Sequence, residues 1–181
     1  VSIDEIMSQA GLTRGGFYHH FRSKEELFAA AVDSFACDNV SDNMKAFIAQ
    51  GLDAKEMAAQ LISSYLSEPH LQDIEQQCPM VALPSDIARA GKDVRRAYEK
   101  LAGRMMSVFQ NSLADQPKAI QRDGSYVLAA LCVGGMVLAR TFDDEAVSDE
   151  ILTAVREFGT QLIDSQSDEA QELAPQKLEV A

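Results

Sequence analysis

The chain of 181 residues has no tryptophan, only 5 prolines and only 3 cysteines. Three scattered cysteines (Cys37, Cys78 and Cys132) are too few for a disulfide framework, which is typical of a protein of the reducing cytoplasm. The chain also lacks a basic segment followed by an apolar stretch, as in a signal peptide. We therefore expect a cytoplasmic location. Because the chain opens directly on a helix start, we also expect further residues before Val1.

Catalytic and metal-binding motifs are missing as well. The chain has only 3 histidines, and the sequence contains no H-E-x-x-H, no G-x-S-x-G, no phosphate-binding loop and no Cys/His cluster. His70 has no partner at metal-ligand spacing and fits a loop residue. We predict that the protein is not an enzyme and that it has no metal or cofactor.

Long apolar runs are absent, and the composition favours helix. The longest apolar stretch, Tyr126–Ala139, has 14 residues, whereas a membrane-spanning helix needs about 20. This stretch therefore predicts a buried core helix. Ala, Leu, Glu, Gln, Met and Arg recur throughout, and runs of β-branched residues are scarce. The predicted fold class is all-α.

The net charge of −12 is unusual for a protein that binds nucleic acid, but it is unevenly distributed. Residues 1–28 hold three basic and four acidic side chains, so they carry only −1 of the total. An acidic body would repel phosphate and restrict DNA contact to one surface. The alternative, which we weigh more heavily, is that the acidity serves solubility alone.

Residues 2–21 have the pattern of a helix-turn-helix. Ser2 and Glu5 form a capping box that starts a short helix, and Gly11 stands where a helix C-terminus needs a left-handed residue. Thr13 is a good N-cap for a second short helix, and Phe17 and Phe21 share its apolar face. In this motif the second helix lies in the major groove of DNA.

The second helix has side chains suited to DNA. Arg14 can bond guanine or reach a phosphate, and Gly15 and Gly16 would let the backbone approach closely. Lys24 lies at the start of the next helix, where backbone amides already favour a phosphate. Three polar tips would face the sugar-phosphate edge: Tyr18, His19 and His20. Taken singly, each of these is compatible with a plain surface residue.

Together the residues are far more specific. The run Ser2-Ile3-Asp4-Glu5-Ile6-Met7, followed by the run from Ala10 to Phe28, strongly resembles the TetR (AcrR-like) family of regulators. The stretch from Gly15 through Leu27 is the most recognisable part. The first helix of that family is absent here, so the three-helix DNA-binding unit is incomplete as it stands.

The resemblance implies a recognition helix at about residues 14–20. It implies base-facing roles for Thr13, Arg14 and Gly16. It also implies phosphate contacts by Tyr18, His20 and Lys24, with His19 able to reach backbone or base. Members of the family bind DNA as homodimers and are mostly repressors that a small molecule releases.

The domain organisation follows from the helix pattern. We predict a DNA-binding domain at residues 1–45, a ligand-binding and dimerisation domain at 46–165 and a polar tail at 166–181. Beyond a helix opened by Ser23, the predicted helices are Met44–Gln50, Ala54–Ser67, Gln72–Gln77, Ser85–Ala90, Asp93–Leu113, a long helix ending near Phe142, and Val147–Ser165. We expect an interruption at Pro79–Pro84.

The last two long helices are predicted to form a dimer interface. Tyr126–Ala139 is apolar on nearly every face, so it must be buried on both sides, and the last helix has a wide apolar stripe. Doubled by a two-fold axis, the pair makes a four-helix interface. The alternative is that both close a monomeric core. The predicted interface residues are Tyr126, Val133, Val137, Ile151, Val155, Phe158 and Leu162.

A small-molecule pocket is expected among the helices that precede this interface, because methionine adapts to irregular cavities. Its candidate lining residues, each of which could equally be plain core, are Met57, Leu61, Tyr65, Met80, Met105, Met106, Phe109 and Tyr126. Cys78 precedes a proline beside a helix break, so it is either a thiol that senses electrophiles or an inert buried cysteine.

The sequence thus predicts a ligand-responsive regulator that binds palindromic operator DNA as a homodimer, most simply as a repressor. Its partners would be double-stranded DNA, a second copy of the chain and an unidentified small molecule, with no membrane. The alternative is a helical ligand-binding or scaffold protein that does not bind DNA.

Overall fold

The computed structural model describes residues 1–35, 41–74 and 77–165, with the side chains of residues 41–44 and 165 outside the description. These ranges are helical and contain no strand, which confirms the predicted fold class. The N-terminal helices are α1 (Ile3–Gln9), α2 (Arg14–His20), α3 (Lys24–Phe35) and α4 (Ser41–Ala49). The body consists of α5 (Ala54–Tyr65), α6 (Glu68–Gln72), α7 (Pro79–Ala82), α8 (Pro84–Arg89), α9 (Lys92–Ser112), α10 (Lys118–Ala139) and α11 (Glu145–Ser165).

Local capping explains where the first two helices begin. The Ser2 hydroxyl accepts the Glu5 amide at 3.2 Å, and the Glu5 carboxylate accepts the Ser2 amide, so the predicted capping box is present. Gly11 has a φ of +67°, which glycine adopts without steric cost, and it ends α1 as predicted. Thr13 caps α2 by accepting the Gly16 amide.

One predicted helix was misplaced and one predicted interruption contains a short helix, and a proline in the first turn accounts for each helix observed. The helix predicted at Gln72–Gln77 lies instead at Glu68–Gln72, where Ser67 is the N-cap and Pro69 stands in the first turn. Residues 75–76 of that prediction lie outside the described residues. The predicted interruption at Pro79–Pro84 holds one short helix, α7, and the helix predicted at Ser85–Ala90 is α8, which begins one residue earlier at Pro84; each has a proline in its first turn. Proline is favourable there because the first amides of a helix need no intrahelical partner.

The core of the body lies where α5, α9, α10 and α11 meet. Five side chains at its centre have essentially no exposed surface: Ile62, Leu66, Phe109, Leu128 and Met136. α10 is long and apolar enough to cross a membrane by length and composition alone. However, it packs against α5, α7, α9 and α11, so we describe it as the core helix that the sequence predicted.

Helix α3 joins the N-terminal segment to this body by packing along α9. Val32 is fully buried in the contact, and Lys100 of α9 pairs with Asp33 of α3 at 3.3 Å. Nearer the start of both helices, the Glu25 carboxylate accepts the backbone N–H of Gly91. These two connections advance in the same direction along both helices, so α3 and α9 are parallel and their N-termini lie level.

The predicted domain boundary near residue 45 stays a prediction. Residues 36–40, which include Cys37, lie outside the described residues, as does the predicted tail at 166–181.

Candidate nucleic-acid interface

The candidate recognition helix α2 is held by one aromatic anchor. Phe17 is only 1% exposed, and its ring lies 5.7 Å from that of Phe21 and 5.2 Å from that of Tyr18. Met7 of α1 is also buried. It lies beside α2, because a Cβ added at Gly16 would stand 3.7 Å from the Met7 Cε. Burial of Phe17 fixes the rotation of α2 and turns its polar positions outward.

The structure brings the eight predicted DNA-contacting residues together on and beside α2. Gly16 is half-buried, and the other seven are exposed: Thr13, Arg14, Gly15, Tyr18, His19, His20 and Lys24. Lys24 is the first residue of α3, and its Nζ donates to the carbonyl of Val1 at 2.8 Å. The set therefore forms a polar surface on the second helix of a helix-turn-helix and the start of the helix that follows.

Arg14 is oriented by a residue that sequence reasoning missed. Its Nη1 lies 2.9 Å from the Asp4 carboxylate of α1, and both side chains are largely exposed. An exposed ion pair of this kind contributes at most about 1 kcal/mol to stability, so its effect is mainly on where the guanidinium points. No local pattern marks Asp4, because the contact spans ten residues across the turn.

Gly15 and Gly16 are not required by the fold itself. Neither has a positive φ. A Cβ at Gly15 would come no closer than 4.0 Å to its neighbours, and one at Gly16 no closer than 3.7 Å, which is ordinary contact. Glycine within a helix costs roughly 1 kcal/mol relative to alanine. The chain thus contains two destabilising residues that its own packing does not explain.

The carboxylates of residues 1–28 accept hydrogen bonds from groups of the protein itself. Each of the four accepts a hydrogen bond: Asp4 from Arg14, Glu5 from Ser2, Glu25 from Gly91 and Glu26 from Arg22. The hydrogen bonds between Glu5 and Ser2, above all the one from the Ser2 backbone amide, hold the pKa of Glu5 below its usual value.

Most of the predicted pocket residues lie in the core of the body. Tyr65, Met80, Met105 and Phe109 are buried in it, and Leu61 and Met106 pack against it. Met57 is half-buried outside this cluster, and Tyr126 is 51% exposed on α10.

One cavity of about 810 Å³ lies elsewhere in the body, and none of the eight predicted residues lines it. Its walls come from α6, the ends of α10 and α11, and the segments beside them. Its lining includes Leu71, Phe142, Leu152 and Arg140. Sequence reasoning missed this site because it is built from helix ends and not from an apolar stripe.

The predicted interface residues line two helices that pack against each other. Five of them are half-buried against the core of the body: Val133, Val137, Ile151, Val155 and Leu162. Tyr126 and Phe158 are more than half exposed, as is Leu138 of α10, and Val127 of α10 is nearly so. Apolar surface on α10 and α11 is therefore left uncovered in this chain.

Cys78 is 4% exposed at the N-cap of α7. Burial raises the pKa of its thiol, and the neighbouring Tyr65 hydroxyl and backbone amides only partly offset this. A thiol that is covered and protonated is a poor nucleophile, which favours the inert interpretation over the electrophile sensor. Among the described residues there is no cluster of His, Cys, Asp or Glu that could hold a metal ion.

The comparisons with known proteins agree with this geometry. Residues 1–31 match the family described as bacterial regulatory proteins, tetR family. The chain is 57% identical over 30 residues to the Transposon Tn10 TetC protein of Escherichia coli, a match that covers 17% of this chain and only 15% of that protein.

The fold is similar to the crystal structure of Escherichia coli NemR in its reduced form, with a TM-score of 0.74 and 18% sequence identity. That likeness covers 89% of this chain and 85% of the other.

Proposed function

We propose that this chain, which belongs to the TetR family through its N-terminal segment, represses transcription by binding palindromic operator DNA as a homodimer that a small molecule releases. Family membership rests on the match of residues 1–31, and the body adds a fold of the same kind. The observation that carries the proposal is the exposed polar surface of α2, held in place by the buried Phe17.

On DNA, this surface would divide into base-reading and phosphate-contacting parts. Arg14 at the N-terminus of α2 is placed to reach base edges, which the first residues of a recognition helix do. Tyr18, His20 and Lys24 would contact phosphates and fix the register without reading sequence. Gly15 and Gly16 leave room for the duplex to approach the backbone of α2.

A homodimer would match a palindromic site, because half-sites one helical turn apart are about 34–36 Å from centre to centre. The uncovered apolar surface of α10 and α11 supports pairing through these helices. Replacing Phe158 with Glu should then yield monomers in sedimentation velocity. Leu12→Glu is the matched control, since Leu12 is similarly exposed but lies in the turn before α2. If Phe158→Glu remained dimeric, the interface would be elsewhere.

Release by a small molecule requires a path between the body and the recognition helix. The packing of α3 on α9 supplies one, because a shift of α9 would move Glu25 and Asp33 with it. A ligand can change DNA affinity only by its differential affinity for the two arrangements. A saturating ligand that left operator affinity unchanged would exclude this switch.

The direct test selects binders from random-sequence duplex DNA with the full-length protein. Enrichment of a palindrome, protected at two half-sites, would support the proposal. If no sequence were enriched and binding occurred only at low salt, the proposed function would be wrong. The alternative, a helical ligand-binding or scaffold protein that does not bind DNA, would then be favoured.

A further inference from the structure

The ion pair between Asp4 and Arg14 lies within the polar surface that includes α2. Asp4 is in the first turn of α1, and Arg14 is the first residue of α2. The turn between the two helices brings their side chains to 2.9 Å, and the Arg14 and Asp4 side chains are 63% and 60% exposed. The pair is therefore accessible to a partner that approaches α2.

The carboxylate occupies only one of the three guanidinium nitrogens. The bond goes to Nη1, whereas Nε and Nη2 of Arg14 form no hydrogen bond with a described residue. Nε and Nη2 share one edge of the planar guanidinium, and two parallel donors on one edge are what bidentate recognition requires. Asp4 therefore restrains the side chain and leaves this pair of donors available.

The paired carboxylate also decides which chemical group Arg14 suits. A carboxylate at 2.9 Å compensates most of the positive charge that a more distant group would feel, and it repels a phosphate directly. The O6 and N7 atoms of guanine are neutral acceptors, so the carboxylate opposes them much less. The pair thus favours the edge of a base over the DNA backbone.

Lys24 shows the opposite arrangement. Its Nζ donates to the neutral carbonyl of Val1 at 2.8 Å, and it forms no ion pair with a carboxylate among the described residues. Its charge has no directly paired anion, which suits a phosphate. The same polar surface therefore contains one cation suited to the backbone and one, Arg14, suited to a base.

We propose that Asp4 is a positioning residue that presents Nε and Nη2 of Arg14 to O6 and N7 of a guanine in each operator half-site. The inference rests on the proposed function and deepens it. It names a base that α2 reads, and it adds the residue of α1 on which this reading depends. Asp4 acts through Arg14 and needs no contact of its own with DNA.

The first test replaces single guanines of the selected operator with 7-deazaguanine, which pairs normally but lacks the N7 acceptor. For the wild type, one such replacement in each half-site should weaken binding by about three-fold or more, because one hydrogen bond to a charged donor is lost. The same replacement should not affect Arg14→Ala, which has no donor for N7. If no guanine showed this dependence on Arg14, the proposal would be wrong.

The second test concerns Asp4. Four operators that differ only at this base pair are compared by fluorescence anisotropy. The wild type should prefer guanine by about ten-fold or more. Asp4→Asn should reduce this preference by about three-fold or more, because the released guanidinium is no longer held in the conformation that fits guanine.

Glu5→Gln is the matched control for Asp4→Asn. It removes one carboxylate from the same turn of α1, and glutamine can keep the capping box with Ser2. It should retain the full preference for guanine. A loss of preference in Glu5→Gln equal to that in Asp4→Asn would show an effect of local charge alone and would overturn the role of Asp4.

A purely structural role of Asp4 in α1 would leave the base preference unchanged. Equal preference in Asp4→Asn and the wild type would therefore contradict the proposal, as would equally raised affinity for all four operators, which indicates a phosphate contact. These results presuppose that the wild type enriches a palindrome, and they would overturn this inference alone. If the wild type enriched none, the proposed function would fail and this inference with it.

Discussion

The N-terminal segment and the body use their side chains in opposite ways. In α1 and α2 only Met7 and Phe17 are buried, and the polar and charged side chains lie on the outer surface. In α9 and α10 the apolar side chains point inward and form part of a continuous core. A surface that meets a partner of fixed shape is thus encoded in a short run of residues, whereas a core can be built from many sequences.

This difference explains why the two regions are predicted unequally well. The caps at Ser2, Thr13 and Ser23 act within four residues, so the starts of α1, α2 and α3 follow from the local sequence. The predicted DNA-contacting residues also fall on one exposed surface, although their contact with DNA stays a prediction.

In the body, the long helices α9, α10 and α11 follow from their apolar periodicity, but the contacts between distant residues do not. The pairing of Glu25 with Gly91 spans 66 positions, and Arg140 reaches the carbonyl of His70 across 70. Nothing in either local sequence marks these contacts. The cavity beside Arg140 depends on such contacts, which is why the predicted pocket residues describe the core and not this cavity.

The largest effect is expected when the same substitution, leucine to alanine, is made in the body and in the N-terminal segment. Leu101 of α9 is 1% exposed, whereas Leu12 in the turn before α2 is 60% exposed. Leu101→Ala should lower the free energy of unfolding by about 2–5 kcal/mol, and Leu12→Ala by less than about 0.5 kcal/mol. Urea denaturation measures both. Equal losses would contradict the contrast between a packed body and an exposed recognition segment.

A smaller effect concerns glycine. Gly15→Ala should leave the free energy of unfolding unchanged or raise it by up to about 1 kcal/mol, because alanine favours helix and the added Cβ would come no closer than 4.0 Å to its neighbours. DNA affinity should nevertheless fall, since the methyl group would meet the duplex.

The control for Gly15→Ala is Gly103→Ala in α9, where an added Cβ meets nothing within 4 Å. It should stabilise the fold without changing DNA affinity. Equal DNA affinity of both variants and the wild type would mean that Gly15 does not face DNA.

The smallest effect is on the pH dependence of stability. The pKa of Glu5 is held below 4.5 in the folded state by its hydrogen bonds to Ser2, so its stabilising contribution is complete above about that pH. It is lost as the pH falls through the lower, folded-state pKa. Glu5→Gln should therefore reduce the melting temperature slightly at pH 7 and remove part of the loss on acidification. An identical acid profile for both proteins would contradict the capping role.

The most direct test of the account compares one arginine from each region. Arg14 and Arg89 are both exposed, and each is paired with an aspartate, at 2.9 Å and 3.1 Å. Binding of the selected operator should be measured by fluorescence anisotropy across a range of salt concentrations for the wild type, Arg14→Ala and Arg89→Ala. We predict that Arg14→Ala weakens binding by about 1–3 kcal/mol, as the loss of a base or phosphate contact does, and that Arg89→Ala matches the wild type. Equal affinities and equal salt slopes for all three proteins would contradict the assignment of α2 as the DNA-reading helix.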